Sequence, residues 1–218
     1  MIEIREISKS FSNRQVLNQI SLQIDDGETI ILMGASGSGK TTLLRLIAGL
    51  EMPDHGTILF DRVIMSEPGF VQQAQHRRIG FIFQQPALWP HLTVKKNVLF
   101  GNKSVKSERN KVFIELAESC RLSEFINKYP AELSMGEQRR VALARALAAN
   151  PSYVFLDEAL VNLDLSMQHD MISFLKAQQQ LKGFSLVYVT HQINDLKQIH
   201  GRLLTLHKGL LVNEKSDE

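Results

Sequence analysis

Apolar and polar residues alternate along much of the first third of the chain, which predicts β-strands there. In the run from Ile2 to Ile7 charged residues separate the isoleucines, so one face of the strand is apolar. The run from Thr29 to Met33 is apolar on both faces, which is typical of a central strand buried on both sides. Strands are predicted over residues 2–7, 20–24, 29–33, 57–60 and 79–83.

Helical patterns dominate the middle of the chain and alternate with strands near its end. The predicted helices cover residues 41–48, 94–100, 108–120, 136–149 and 166–181. Further strands are predicted over residues 153–156 and 186–190, and a terminal hairpin over 203–206 and 210–212. Because parallel strands need crossover helices between them, this order predicts an α/β core interrupted by a helical insertion.

Composition and charge exclude several classes of protein. Of the 218 residues, 44% are apolar and 22% are charged, which argues against a disordered chain. Lys and Arg number 25 against 23 Asp and Glu, so bulk charge does not predict a nucleic-acid binder. Cys120 is the one cysteine, which excludes an intramolecular disulfide, and its apolar surroundings indicate a core residue. The sequence shows neither a secretory signal nor the roughly 20 consecutive apolar residues that span a bilayer.

A glycine-rich loop lies between the buried strand 29–33 and the helix that follows it. Residues 34–41 read GASGSGKT, which fits the phosphate-binding pattern GxxxxGK[ST]. The glycines let backbone N–H groups approach phosphate oxygens, and the helix N-terminus adds about half a positive charge. In this pattern Lys40 reaches the β- and γ-phosphates and the Thr41 hydroxyl ligates Mg²⁺. The loop therefore predicts that a nucleoside triphosphate binds, in preference to a glycine-rich turn without a ligand.

Two acids and a histidine follow other predicted strands. Asp157 and Glu158 follow the strand that begins at Tyr153, and His191 follows the strand 186–190. In an open α/β sheet, ligands gather at the carboxyl ends of the strands, where the phosphate loop also lies. We expect Asp157 to hold Mg²⁺ directly or from its second coordination sphere, Glu158 to polarise the water that attacks the γ-phosphate, and His191 to sense or orient that phosphate. The competing interpretation of the acid pair is a helix cap followed by an exposed acid.

Further motifs separate the kinases, GTPases, helicases and transport ATPases that share a phosphate loop. Residues 133–137 read LSMGE ahead of a predicted helix, Gln84 follows a strand, and Asp164 ends the run Asn-Leu-Asp. With these motifs the sequence strongly resembles the ATP-binding subunit of ABC transporters over nearly its whole length. Residues 133–137 are similar to the signature sequence of that family, Gln84 to its Q-loop glutamine and Asp164 to its D-loop aspartate.

The resemblance implies an α/β fold with a P-loop NTPase (RecA-like) core, an N-terminal antiparallel β subdomain and an inserted helical subdomain. Residues 1–218 would form a single ABC ATPase domain, in which a helical subdomain over about 88–150 separates the parts 1–87 and 151–218 of the nucleotide-binding core. Relatives in one importer branch of the family often carry an additional C-terminal regulatory domain, which is expected to be absent here. The implied cofactors are ATP and Mg²⁺.

The resemblance also assigns roles to individual residues. Phe11 lies where the family places the aromatic ring that stacks on adenine. The expected nucleotide contacts are Phe11, Val16, Gly34, Ala35, Ser36, Gly37, Ser38, Gly39, Lys40, Thr41, Thr42, Ser134, Gly136, Glu137 and Asp164. The expected catalytic residues are Lys40, Gln84, Glu158 and His191. The expected metal ligands are Thr41, Gln84 and Asp157.

In the mechanism that the resemblance implies, two copies of the chain enclose ATP head to tail. The phosphate loop of one copy holds ATP, while Ser134 and the Gly136 backbone of the other close over the γ-phosphate at a helix N-terminus. Met135 replaces the first signature glycine of the family, and we expect an ordinary conformation there at the start of the helix. Glu137 replaces a glutamine and adds negative charge near phosphate, and Ala159 replaces a usual proline.

Residues 88–94 resemble the docking stretch of an importer branch that carries sugars, sulfate, molybdate or ferric iron. Within this stretch, Trp89 fits a buried core position and a position that faces a partner equally well. The implied partners are a second copy or a paralogue, transmembrane permease subunits and an extracytoplasmic substrate-binding protein, without nucleic acid. The chain is then expected in the cytoplasm, on the inner face of the membrane through the permease, and import is the expected direction.

Three other functions compete with a transporter ATPase. A soluble ABC-type ATPase that acts on DNA or ribosomes usually has two cassettes or long coiled-coil insertions. A small-molecule P-loop kinase needs a lid or an acceptor pocket and does not need residues 133–138. The presence of Lys40, Glu158 and His191 together argues against a non-catalytic, nucleotide-gated binding module. The leading hypothesis is therefore an ATPase subunit that drives a membrane transporter.

Overall fold

A computed structural model of the chain describes residues 1–160, 165–191 and 199–213. The strands are β1 (Ile2–Phe11), β2 (Arg14–Ile24), β3 (Thr29–Met33), β4 (His55–Phe60), β5 (Val63–Glu67), β6 (Phe70–Val71), β7 (Ile79–Ile82), β8 (Tyr153–Asp157), β9 (Ser185–Val189), β10 (Arg202–His207) and β11 (Leu210–Asn213). The helices are α1 (Lys40–Ile47), α2 (Val94–Leu99), α3 (Lys106–Ser119), α4 (Met135–Ala148) and α5 (Leu165–Lys182).

The larger sheet has six strands in the order β11-β10-β3-β9-β8-β7. Its strands run parallel except for β11, which forms an antiparallel hairpin with β10. Strand β9 lies between β3 and β8, so the carboxyl ends of these three strands are neighbours. The phosphate loop, the acid pair and His191 follow those three ends, which is the arrangement that the sequence predicted.

The smaller sheet has five strands in the order β2-β1-β4-β5-β6, and all its pairings are antiparallel. The predicted N-terminal antiparallel subdomain is therefore confirmed. Strands β5 and β6 were not predicted, since neither has a strong alternating pattern.

Alternate residues of the central strands point into two different cores. Ile30 and Leu32 of β3 lie in the core formed with α1 and the antiparallel sheet. Ile31, between them, lies in the core formed with α2, α3, α4 and α5. The parallel sheet is therefore covered on both faces, as the doubly apolar sequence of β3 predicted.

Helices α2, α3 and α4 lie between β7 and β8 along the chain, where the helical insertion was predicted. Its bounds at residues 88 and 150 stay a prediction. Cys120, at the end of α3, is fully buried and burial raises its pKa to about 12, so it is a core residue as expected. Trp89 is 42% exposed, and its ring contacts that of Phe100. Within the described ranges, no helix combines the length and the apolar character needed to cross a membrane.

Candidate functional site

The loop between β3 and α1 is pressed against two other strands at its glycines. Gly34 has a φ of +152° and Gly39 a φ of +108°, values that favour glycine. A Cβ atom on Gly39 would lie 2.9 Å from the carbonyl oxygen of Val16, and one on Gly34 would lie 2.3 Å from that of Leu206. The loop can therefore approach β2 and β10 this closely because these positions carry no side chain.

The side chain of Lys40 is buried within the phosphate loop and bonds its backbone. The residue is 5% exposed, and its Nζ donates hydrogen bonds to the carbonyl oxygens of Gly34, at 2.8 Å, and Ala35, at 3.1 Å. The same atom lies 3.5 Å from Oε1 of Glu158. A buried ammonium group thus lies between the loop that begins after β3 and the acid that follows β8.

Thr41 and Asp157 form a pair of oxygen donors beside this lysine. The Thr41 hydroxyl donates to Oδ1 of Asp157 at 3.0 Å, and Asp157 is 3% exposed. Burial raises the pKa of Asp157 above its usual value, although the bond from Thr41 acts in the opposite direction. Hydroxyl and carboxylate oxygens are ligands that Mg²⁺ prefers, so this buried pair fits a cation that would favour the charged form of the acid.

The carboxylate of Glu158 is the meeting point of the predicted catalytic residues. Its Oε1 lies 3.4 Å from His191 Nδ1 as well as 3.5 Å from Lys40 Nζ, and its Oε2 accepts a hydrogen bond from Gln84 Nε2 at 3.3 Å. The Glu158 N–H donates to the carbonyl oxygen of Val189 on β9, at 3.1 Å. Residues from three separate parts of the chain therefore surround one acid at the carboxyl edge of the sheet.

A cleft of about 360 Å³ opens beside the phosphate loop. It is lined by residues 35–38 of the loop, residues 14–16 of β2 and residues 207–209, the turn of the β10–β11 hairpin. Sequence reasoning missed the last group, since nothing in the chemistry of a surface turn relates it to a loop 170 positions earlier. The turn is held in place by the Asn18 N–H, which donates to the carbonyl oxygen of Gly209 at 2.9 Å.

With this geometry in view, comparison with known proteins decides the family. A family profile described as "ABC transporter" matches residues 17–161, which include the phosphate loop, the signature and the acid pair. The chain belongs to the ABC transporter family. The predicted membership of this family is therefore confirmed.

Similar proteins are named for import and for ATP binding. The sulfate/thiosulfate import ATP-binding protein CysA of Thermosynechococcus vestitus is 40% identical over 211 residues, which cover 95% of this chain and 62% of CysA. The chain therefore spans about three fifths of that relative. The glutamine transport ATP-binding protein GlnQ of Escherichia coli is 39% identical over 220 residues, which cover 98% of this chain and 90% of GlnQ.

A solved structure supports the fold over the whole length of the chain. The ATP-binding cassette MJ0796, in a dimeric post-hydrolysis state bound to ADP and Pi, matches with a TM-score of 0.87 and 31% identity. The match covers 99% of this chain and 100% of that one. The P-loop NTPase fold of an ABC cassette is therefore confirmed.

The signature of this ABC chain forms the first turn of α4. The Ser134 hydroxyl accepts from the Glu137 N–H at 3.3 Å, and Oε2 of Glu137 accepts from the Ser134 N–H at 2.6 Å. The latter bond is the largest cause that holds the pKa of Glu137 below its usual value. Met135 is the first helical residue, 55% exposed, and is absent from the residues with positive φ, so the expected ordinary conformation is confirmed.

Other predicted contacts of the ABC site are spread more widely. Phe11 ends β1 directly opposite Arg14, which lines the cleft, and Phe11 is 45% exposed. Thr42 lies in the first turn of α1. Asp164 falls outside the described residues. The structure thus brings the phosphate loop, Lys40, Thr41, Gln84, Asp157, Glu158 and His191 together, while the signature forms a separate helix start.

Proposed function

We propose that this chain is the ATP-hydrolysing domain of an ABC importer and that it works as a head-to-tail pair. One observation carries the hydrolytic part of the proposal: the Glu158 carboxylate lies within 3.5 Å of both Lys40 Nζ and His191 Nδ1 and next to the Asp157 that bonds Thr41. A base, a phosphate-binding cation and a magnesium-binding pair are then in one place. Transfer of a γ-phosphoryl group to water requires these three parts.

ATP lies with its phosphates along the loop 34–41 and its base toward the β1–β2 hairpin. The N–H groups of the loop and the N-terminus of α1 stabilise the phosphate charge. Lys40 exchanges its bonds to the loop carbonyls for bonds to the β- and γ-phosphates. The exposed Phe11 ring stacks on adenine, which is worth roughly 1–3 kcal/mol for a base on an aromatic side chain. Val16, which lines the cleft, lies beside the nucleotide.

The residues of the site fit a Mg²⁺ ion. Thr41 and Asp157 would hold it with their paired oxygens, and Gln84 is the third expected ligand. When bound, the ion neutralises charge on the β- and γ-phosphate oxygens.

Glu158 acts on the attacking water. The water oxygen forms a bond to the γ-phosphorus as the bond from that phosphorus to the bridging oxygen of ADP breaks, and the water proton passes to the Glu158 carboxylate. Gln84 and His191, which contact opposite oxygens of that carboxylate, keep it in one orientation. The products are ADP and inorganic phosphate.

A second copy completes the site. Ser134 and the Gly136 N–H, at the start of α4, supply donors for the γ-phosphate held by the other copy, with Glu137 at the same contact. In the bond within one chain the Ser134 hydroxyl oxygen accepts from the Glu137 N–H, so its O–H can still donate to phosphate. The dimeric state of the similar cassette MJ0796 supports this assembly.

The dimer transmits its motion to membrane partners. We infer that these are transmembrane permease subunits that work with an extracytoplasmic substrate-binding protein, and that the chain lies on the cytoplasmic face of the membrane through the permease. The name of CysA, which says import, supports import as the direction, and the name of GlnQ supports transport. Those two names give different cargoes, which fits a domain that supplies energy and leaves the choice of cargo to the permease.

The test is release of inorganic phosphate from MgATP by the purified chain and its Glu158→Gln variant. The variant should keep its affinity for ATP and lose about 10²–10⁴-fold in rate, the usual contribution of a positioned base. Glu118→Gln, on the exposed face of α3, is the matched control and should hydrolyse ATP at the wild-type rate. Unchanged hydrolysis by Glu158→Gln, or transfer of phosphate to a small acceptor instead of water, would contradict the proposal.

A further inference from the structure

An ammonium group lies against the aromatic ring to which the proposed function assigns adenine. Lys9 Nζ is 5.2 Å from the centroid of the Phe11 ring, within the roughly 6 Å over which a cation is attracted to a ring face. Phe11 is nevertheless 45% exposed, so the ring keeps accessible surface for a ligand. The lysine side chain itself is only 10% exposed, which is unusual for this residue type.

Two carboxylates fix the position of this ammonium group. Lys9 Nζ donates to Oδ1 of Asp54 at 3.0 Å and lies 3.4 Å from Oε1 of Glu51. The second oxygen of Asp54 accepts from the Ser10 N–H at 2.6 Å, and the Asp54 N–H donates to the Ser8 carbonyl at 3.0 Å. Burial alone would raise the pKa of Asp54, but the bonds from Ser10 and Lys9 outweigh it and hold that pKa low.

The segment that carries these carboxylates connects the ring to the phosphate loop. Residues 51–54 follow the C-terminal end of α1, and the N-terminal end of α1 begins at Lys40 of the phosphate loop. The Leu50 N–H donates to the Arg45 carbonyl at 2.9 Å, so a hydrogen bond to the last turn of α1 fixes the start of the segment. One eight-residue helix therefore lies between the group that holds phosphate and the group that supports the ring.

We propose that Lys9 is a positioning residue for nucleotide binding, which holds the Phe11 ring in the orientation that stacks on adenine. This inference rests on the proposed function, because it takes Phe11 as the base contact. Without the lysine, an exposed ring at this end of β1 would lose rotamer freedom when the base binds. A ring that a cation already holds in place loses less conformational entropy on binding, so binding is more favourable. A cation on one face also draws electron density from the ring, which reduces its repulsion of the purine π-electrons.

The proposal predicts that Lys9 affects the binding of ligands that contain adenine and not the binding of phosphate alone. Lys9→Met removes the charge and keeps the apolar stem, and should weaken ATP binding about two- to fivefold, the range of an exposed cation–π contact. The same variant should bind inorganic tripolyphosphate as the wild type does, because Lys9 Nζ contacts the Phe11 ring, Asp54 and Glu51 rather than the phosphate loop. Lys9→Arg keeps a cation over the ring and should restore most of the ATP affinity. Isothermal calorimetry with each ligand measures these values.

A double-mutant cycle separates positioning from a general structural role. Phe11→Ala should weaken ATP binding by roughly 5- to 160-fold without affecting tripolyphosphate, and adding Lys9→Met to it should have no further effect. Lys95→Met is the matched control. Lys95 lies in α2, and its Nζ is 5.3 Å from the ring of Phe113 in α3. Removing this second cation–ring contact should leave ATP affinity unchanged.

Each other outcome has a definite meaning. If Phe11→Ala weakens ATP binding and Lys9→Met does not, the role of Lys9 is refuted while the base contact stands. If Lys9→Met weakens tripolyphosphate as much as ATP, or still weakens ATP when Phe11 is absent, Lys9 acts through the fold and the inference is again refuted. If Phe11→Ala itself has no effect on ATP, the proposed base contact is wrong.

Discussion

Replacing Gly39 by alanine tests how the fold shapes the phosphate loop. The residue has a φ of +108°, and an added Cβ would lie 2.9 Å from the Val16 carbonyl oxygen and 2.8 Å from Cδ2 of Leu17. The backbone strain costs about 1–3 kcal/mol. Overlap with a backbone atom that cannot rotate away adds about 1–3 kcal/mol more. Gly39→Ala should therefore lower the free energy of unfolding by about 2–6 kcal/mol.

Gly37→Ala is the matched control in the same loop. Gly37 has a φ of +76°, and nothing lies within 4 Å of an added Cβ, so only the strain of a left-handed residue applies, about 1–2 kcal/mol. Thermal unfolding of the nucleotide-free variants measures the difference, at about 2–4 °C per kcal/mol for a chain of this size. If Gly39→Ala is as stable as Gly37→Ala, the contact between the loop and β2 is not what requires glycine there.

Two further substitutions test other parts of the account. Arg77 is 1% exposed and donates to the Ile47 carbonyl at 2.7 Å, so Arg77→Met should lower the free energy of unfolding by about 3 kcal/mol or more, as measured by thermal unfolding. Arg62→Met, on the surface, should lower it little, and equal effects of the two substitutions would contradict this. Because the pKa of Asp157 is raised in the folded state, its contribution to stability is present at low pH and is lost as the pH rises through that pKa. Asp157→Asn should thus stabilise the nucleotide-free chain at neutral pH while abolishing MgATP hydrolysis; a destabilised variant would contradict this.

The parts of the fold that the sequence predicted are those with a local pattern. The isoleucines of β1 and the doubly apolar β3 each reflect the environment of their own strand, so their types and burial could be predicted. The hairpin that leads into β5 could not, because its turn residues Asp61 and Arg62 have φ values of +49° and +66°. Such a turn usually contains glycine or asparagine, and Asp-Arg gives no such signal.

The residues of the candidate site likewise fall into those that could be predicted from the sequence and those that could not. Lys40 and Glu158 could be found because each follows an apolar strand, and parallel strands bring their carboxyl ends to one edge. The turn 207–209 and the partners of Lys9 could not, since they depend on which loops meet in the folded chain. Glu51 is 42 positions from Lys9 and carries no motif of its own. Contacts between loops are set by the whole topology, so only the structure shows them.

The central claim is that ATP is enclosed between two copies of this chain, and light scattering with MgATP tests it directly. Glu158→Gln, which should bind ATP and hydrolyse it about 10²–10⁴-fold more slowly, should double in mass from one chain to two. Adding Ser134→Arg should keep the protein as a single chain that still binds ATP through its own phosphate loop, while adding Ser119→Arg, at the exposed end of α3, should still permit the dimer. A Glu158→Gln protein that stays monomeric at saturating MgATP, or one that still pairs with Ser134→Arg, would contradict the claim.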